Sequence, residues 1–125
     1  MENTHNIENE KIISKSEEEL ELEFLISSTS DFFDGHFPEF KLLPAVAQFE
    51  VVTRFAKKYF GTQRFVPKIN RIKFSAPIRP DTSVHLKISF NSEKQTMSYS
   101  LWDANKVERI YSSGSFSVLK ESSPI

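Results

Sequence analysis

The sequence predicts an α+β domain: an antiparallel sheet of five to six strands wrapped around one long central helix. Three observations carry this. Residues 20–26 and 84–90 alternate apolar and polar side chains with the period of two expected of half-buried strands. Between them, residues 44–60 follow the 3.6-residue period of a helix, and no other segment does. The chain has 125 residues, enough for one hydrophobic core without a disulfide or metal.

Composition removes whole classes of function. There is no cysteine, so disulfide frameworks, thiolate zinc sites and cysteine nucleophiles are excluded. No apolar run approaches the roughly 18 residues of a membrane span, and Met1 to Asn6 lacks the basic start and apolar core of a signal peptide. The expectation is a soluble cytoplasmic protein. A net charge of −1 conceals an asymmetry: residues 1–23 carry eight acids and two bases, and the rest carries nine acids and fourteen bases. That basic body suits an acidic partner. Nucleic acid is disfavoured, because the bases are scattered through strands and form no run interleaved with aromatics.

Residues 1–9 lack periodicity and are expected to be a flexible end, with the folded domain over 10–120 and a tail over 121–125. Lys11 to Lys15 and Leu20 to Ile26 form a predicted hairpin turning at Ser16-Glu17-Glu18. Glu21 and Glu23 alternate with core residues and are expected to point to water. Pro44 suits the first helical position and Gly61 the residue just past the end. Between Leu42 and Thr53 the only charge is Glu50, whereas Arg54, Lys57 and Lys58 follow, so the helix is expected to enter buried and leave wet. Beyond it, Phe65 to Ile78, Val84 to Phe90, Met97 to Leu101 and Val107 to Leu119 read as an antiparallel meander. Ile72, Phe74 and Ala76 share one face, His85 faces solvent, and Trp102 and Tyr111 are packing or interface residues. The edge strands and exposed aromatics predict that two units associate.

Chemistry concentrates at one stretch, Gly35-His36-Phe37-Pro38 followed by Leu43-Pro44-Ala45-Val46-Ala47-Gln48-Phe49-Glu50. His36 lies in a loop stiffened by the proline, with an ordinary pKa that lets it serve as a base near neutrality. Taken alone, such a histidine is more often a satisfied loop residue than a catalyst. Glu50 follows a turn of apolar neighbours, Val46 and Ala47. Desolvation there would favour a protonated carboxyl, although Arg54 and Lys57 also offer it ordinary helix-face pairing. A base and an acid in unlike environments suit proton removal beside a carbonyl coupled to loss of a hydroxyl. The free N–H groups at the helix start, around Ala45 and Val46, carry the positive end of the helix dipole and suit a thioester oxygen.

These residues resemble the signature of the hot-dog-fold (3R)-3-hydroxyacyl-acyl carrier protein dehydratases: a GHFP loop, a Pro-Gly-Val helix start, and an acid fourteen residues after the histidine. His36 to Glu50 is that interval. The segment Arg71-Ile72-Lys73-Phe74-Ser75-Ala76-Pro77-Ile78-Arg79-Pro80 resembles the strand that follows the helix in that family. With no N-terminal segment before the first strand, the likeness is to its short members in specialised acyl or polyene pathways.

The resemblance implies that His36 removes the C2 proton, that Glu50 protonates the departing 3-hydroxyl, and that the backbone N–H groups of Ala45 and Val46 hold the thioester oxygen. Phe33, Phe37, Pro38 and Phe49 would line a substrate tunnel. It further implies a homodimer in which His36 and Glu50 meet across the interface, and an acyl carrier protein whose phosphopantetheine bears the substrate, with no further cofactor and no metal. Arg54, Lys57, Lys58, Arg64 and Lys68 are its candidate docking cations. The sequence departs from the family at Glu39, Lys41, Ala45 and Arg54, the last placed one turn from Glu50 where it would hold a carboxylate ionised. A hot-dog thioesterase and a non-catalytic acyl-binding subunit are the alternatives.

Overall fold

The computed structural model describes residues 7–26, 45–63, 66–79 and 81–119. Six strands and one helix follow in the order β1 (Ile7–Lys15), β2 (Glu19–Ile26), α1 (Ala45–Phe60), β3 (Ile69–Phe74), β4 (Ser83–Asn91), β5 (Thr96–Asp103) and β6 (Ile110–Ser117). All belong to one antiparallel sheet in the spatial order β1-β2-β4-β5-β6-β3.

Alternation fixes which face each strand buries. On β2, Leu20, Leu22, Phe24 and Ile26 are buried while the glutamates between them are not. Leu22 pairs with Leu86 and Leu86 with Leu101, so the same apolar row continues across β2, β4 and β5. α1 lies against this face and presents Val51, Val52, Phe55 and Ala56 to it. Phe55 meets Phe24 of β2 with ring centroids 5.1 Å apart, Phe60 meets Phe90 of β4 at 5.5 Å, and Phe49 meets Phe116 of β6 edge-on at 5.0 Å. One helix therefore touches strands across the width of the sheet. Each fully buried Leu or Phe contributes about 1.5–3 kcal/mol, which makes this shared core the main source of stability.

The helix ends as its residues dictate. Gly61 takes a φ of 69°, a left-handed conformation that glycine tolerates, and its N–H closes on the Lys57 carbonyl at 3.1 Å. Lys57 and Lys58 in the last turn are exposed and suit the negative end of the helix dipole.

The structure departs from the sequence expectations at the starts of β1 and β6 and in the strand order after α1. β1 begins at Ile7, because a bulge with Asn9 at φ 55° interrupts the alternation without ending the pairing with β2. β6 begins only at Ile110: Asp103 accepts the N–H groups of Asn105 and Lys106, and this turn carries Val107 out to 70% exposure. The strands after α1 are not a simple meander either. β4, β5 and β6 are, but β3 pairs with β6 at the far edge, so β4 returns to pair with β2.

Candidate active site

α1 supplies the positions singled out in the sequence. It starts at Ala45, so the N–H groups of Ala45 and Val46 fall in the first turn and have no partner within the helix. That turn holds no acidic residue to offset the positive end of the helix dipole. Glu50 is half-buried, on the face that also carries Ala47 and Arg54 and opposite the buried Val51, Val52 and Phe55. Its carbonyl accepts a hydrogen bond from the Thr53 hydroxyl at 2.9 Å.

Two neighbours fix this end of the helix. Gln48 is fully buried and its Nε2 donates to the Ala76 carbonyl at 2.9 Å, tying the first turns of α1 to the chain that leaves β3. Phe49 leans against Phe116 and lies 6.3 Å from Tyr99, so its ring is continuous with the aromatic core. Tyr99 is buried, which pushes its phenol above the ordinary range, and it donates to the Ser112 hydroxyl at 3.3 Å.

His36, Phe33, Phe37, Pro38 and Arg64 lie outside the described residues. Of the other candidate docking cations, Lys57 and Lys68 are exposed and Arg54 is half-buried beside Glu50. Lys58 is held within the chain: its Nζ donates to both oxygens of Glu10 at 2.9 and 2.8 Å, and this hydrogen-bonded partner raises its pKa. The Tyr59 hydroxyl bonds the same carboxylate. The β1 bulge thus turns Glu10 toward α1 and ties the first strand to the helix's last turn.

A second cluster escaped the sequence reading. His85, Glu21 and Glu23 do leave the core side of the sheet, but the histidine does not face open solvent. Its side chain is only 14% exposed, stacked on Trp102 at 4.4 Å and 14°, with Nε2 2.9 Å from Glu21 and Nδ1 3.9 Å from Glu23. Alternation put each of the three on the outer face; finding them together required the β2–β4 register, which pairs Glu23 with His85. Among the described residues, no group of three His, Asp or Glu is arranged to hold a metal ion. Tyr111 is likewise a buried partner: its hydroxyl donates to Asp103 at 3.0 Å, and burial followed by that carboxylate pushes its pKa up to about 12. Burial opposes ionisation of Asp103, but the N–H groups of Asn105 and Lys106 and the Tyr111 hydroxyl hold its pKa below the ordinary value.

A family model described as ApeI-like, ApeI dehydratase, matches residues 12–115. Among solved structures, the dehydratase heterocomplex ApeI:P from Xenorhabdus doucetiae is similar with a TM-score of 0.73 and 25% identity, over 90% of this chain and 99% of that one. An uncharacterized protein from Erwinia carotovora subsp. atroseptica gives 0.69 and 29%, over 88% and 90%. A hypothetical thioesterase with coenzyme A from Streptococcus pneumoniae gives 0.65 at 10% identity, over 94% and 90%, a likeness of fold alone. No curated protein sequence matches. The six-stranded sheet around one helix is the hot-dog architecture.

Proposed function

The chain belongs to the ApeI-like dehydratase family, and on that premise we propose that it dehydrates (3R)-3-hydroxyacyl thioesters carried on acyl carrier protein to trans-2-enoyl thioesters. The observation that carries the reading is Glu50. It stands half-buried on the second turn of α1, fourteen residues after the GHFP histidine, beside a helix start with no acid in its first turn.

In this reading His36 takes the C2 proton and the electron pair moves toward the thioester carbonyl. The N–H groups of Ala45 and Val46 stabilise the oxygen that gains charge. Glu50 then gives its proton to the 3-hydroxyl, which leaves as water as the C2–C3 double bond forms. Phe49, with Phe33, Phe37 and Pro38 from the preceding segment, would line the acyl tunnel. No cofactor is needed beyond the carrier's phosphopantetheine arm. Arg54, Lys57, Arg64 and Lys68 are proposed to meet the acidic carrier, with Lys58 contributing least because Glu10 already neutralises it.

The assembly proposed is a pair of hot-dog subunits with sites at their interface: a homodimer on the sequence reading, a heterocomplex on the precedent of the Xenorhabdus doucetiae neighbour. No helix is long and apolar enough to cross a membrane among the described residues, and the proposed setting is cytoplasmic fatty-acid or specialised polyene synthesis.

Incubation with a 3-hydroxyacyl carrier protein tests the reading by mass of the product. Loss of 18 Da to the enoyl thioester supports dehydration. Free acid would indicate a thioesterase, and unchanged substrate a binding subunit. His36→Ala and Glu50→Gln are each expected to lower turnover by about 10²–10⁴-fold.

A further inference from the structure

The face of the sheet turned away from α1 sorts its charges by strand. Lys87 lies between the fully buried Leu86 and Ile88, so it points outward from the middle of β4. Arg71 on β3 stands outward opposite Ser115. β5 and β6 lie between these two strands, which sets the cations' backbones about 14 Å apart across the sheet. The outward residues in that interval are short: Ser98 and Ser100 on β5, Ser113 and Ser115 on β6. Serines cannot fill the space between two long side chains, and a cavity of about 270 Å³ opens there. Arg71 and Lys87 border it, and Ser89, Ser98, Ser100 and Ser113 bring hydroxyls to its floor.

Both cations are available to a ligand. Glu21 is opposite Lys87 in the register, yet its carboxylate turns to His85, with Oε2 2.9 Å from Nε2. Among the described residues neither Arg71 nor Lys87 forms an ion pair, and no acid lines the cavity. The adjoining depression, of about 670 Å³, has the opposite character. It shares Ser89 and Ser98 but is lined by Glu18, Glu19 and Glu93 and by no cation. An anion is therefore directed to the smaller cavity.

The donor set narrows the anion to a phosphate group. Hydrogen bonds between ionised partners are the strong ones, a guanidinium matches two phosphate oxygens at once, and an ammonium adds a compact second charge. The volume is that of roughly nine waters, more than a bare phosphate occupies, and the hydroxyl floor suits a polar body attached to it.

We propose that this cavity binds a small phosphomonoester, its dianion held between Arg71 and Lys87 and its hydroxylated remainder laid on the serines. The site is across the sheet from α1 and Glu50, so it stands independently of the dehydratase reading.

The experiment titrates the isotope-labelled full chain with glycerol 3-phosphate near neutral pH at constant ionic strength and follows backbone amide shifts by NMR. Glycerol and inorganic phosphate are run in parallel. Saturable shifts are expected at Ser98, Ser100, Ser113 and Gly114, with glycerol inert and inorganic phosphate weaker. Arg71→Gln and Lys87→Gln, each checked for an otherwise unchanged spectrum, are expected to weaken binding about tenfold, the loss of one charge-assisted contact. Lys73→Gln is the control. Lys73 has the same charge on the same face of β3 but does not line the cavity, so affinity should stay within about twofold once salt screens its field. Shifts that do not saturate, equal weakening by all the variants, or shifts confined to the start of α1 overturn the site. Inorganic phosphate binding as tightly as glycerol 3-phosphate overturns the monoester assignment.

Discussion

Replacing Gly114 by alanine should loosen β3 from the sheet. Gly114 sits mid-way along β6, opposite Tyr99 on β5 and Ile72 on β3. A Cβ there would lie 2.5 Å from the Arg71 carbonyl oxygen and 3.0 Å from both Cα and Cγ1 of Ile72. Two of those three atoms are backbone, so no rotamer change relieves the clash and the strand itself has to move. Overpacking of this kind costs about 1–3 kcal/mol. Against it stands a gain of roughly 0.5–1 kcal/mol, because alanine restricts the unfolded chain more than glycine does. The net expectation is a loss of about 1–2 kcal/mol. For a domain of this size that lowers the melting temperature by roughly 4–8 °C. Calorimetry measures the total, and amide hydrogen exchange locates it: protection should fall in β3 while the β1–β2 hairpin keeps its own. The strain also reaches the candidate site, because β3 leads to the carbonyl that Gln48 grips. A melting temperature within about a degree of wild type, with β3 protection intact, would refute the close-approach argument.

Thr62 is fully buried and its hydroxyl has no hydrogen-bond partner among the described residues, so Thr62→Val, which keeps the shape and removes the stranded group, should stabilise the fold by about 1 kcal/mol in a urea titration. Gln48→Leu removes the amide that holds Ala76. A loss of about 1–2 kcal/mol is expected, with turnover falling more than substrate affinity because the helix start is displaced. Tyr111 should govern alkaline stability. Its folded-state pKa of about 12 lies above the ordinary 10.0, so its contribution is complete below pH 10 and is lost as the pH rises toward 12. Tyr111→Phe should flatten the stability curve in that window and cost about 1–2 kcal/mol near neutrality through the lost bond to Asp103. A variant with the wild-type alkaline slope would show that another group titrates there.

Much of this fold was legible where local pattern and tertiary burial agree. The clean alternation of Leu20, Leu22 and Phe24, and of Val84, Leu86 and Ile88, located two strands because one face of each is buried. Gly61 marked the end of α1 because a left-handed residue was required there. Pattern failed where partners are chosen at long range. Nothing within Ile69–Phe74 says that its neighbour is β6, since periodicity assigns a face and not a partner. The bulge at Asn9 breaks the period, so pattern alone places the start of β1 too late. In the candidate site, Glu50 stands out in sequence by its isolation among apolar residues. The pairing of Gln48 with Ala76, 28 positions on, left no local mark. Tyr111 and Asp103 look unremarkable in sequence; their coupling arises only when a turn folds back across the ends of β5 and β6.

The far-edge position of β3 also bears on the order in which the chain can assemble. The β1–β2 and β4–β5–β6 segments close through short turns, so their hairpins pay little loop entropy and can form early. By contrast, Leu22 must find Leu86 and Ile72 must find Gly114, 64 and 42 positions away. Neither seam gains from local connectivity, and α1 lies in the chain between the strands of the first. The helix is thus the part that both seams close upon, and the loop-closure cost of the fold is concentrated in those two seams.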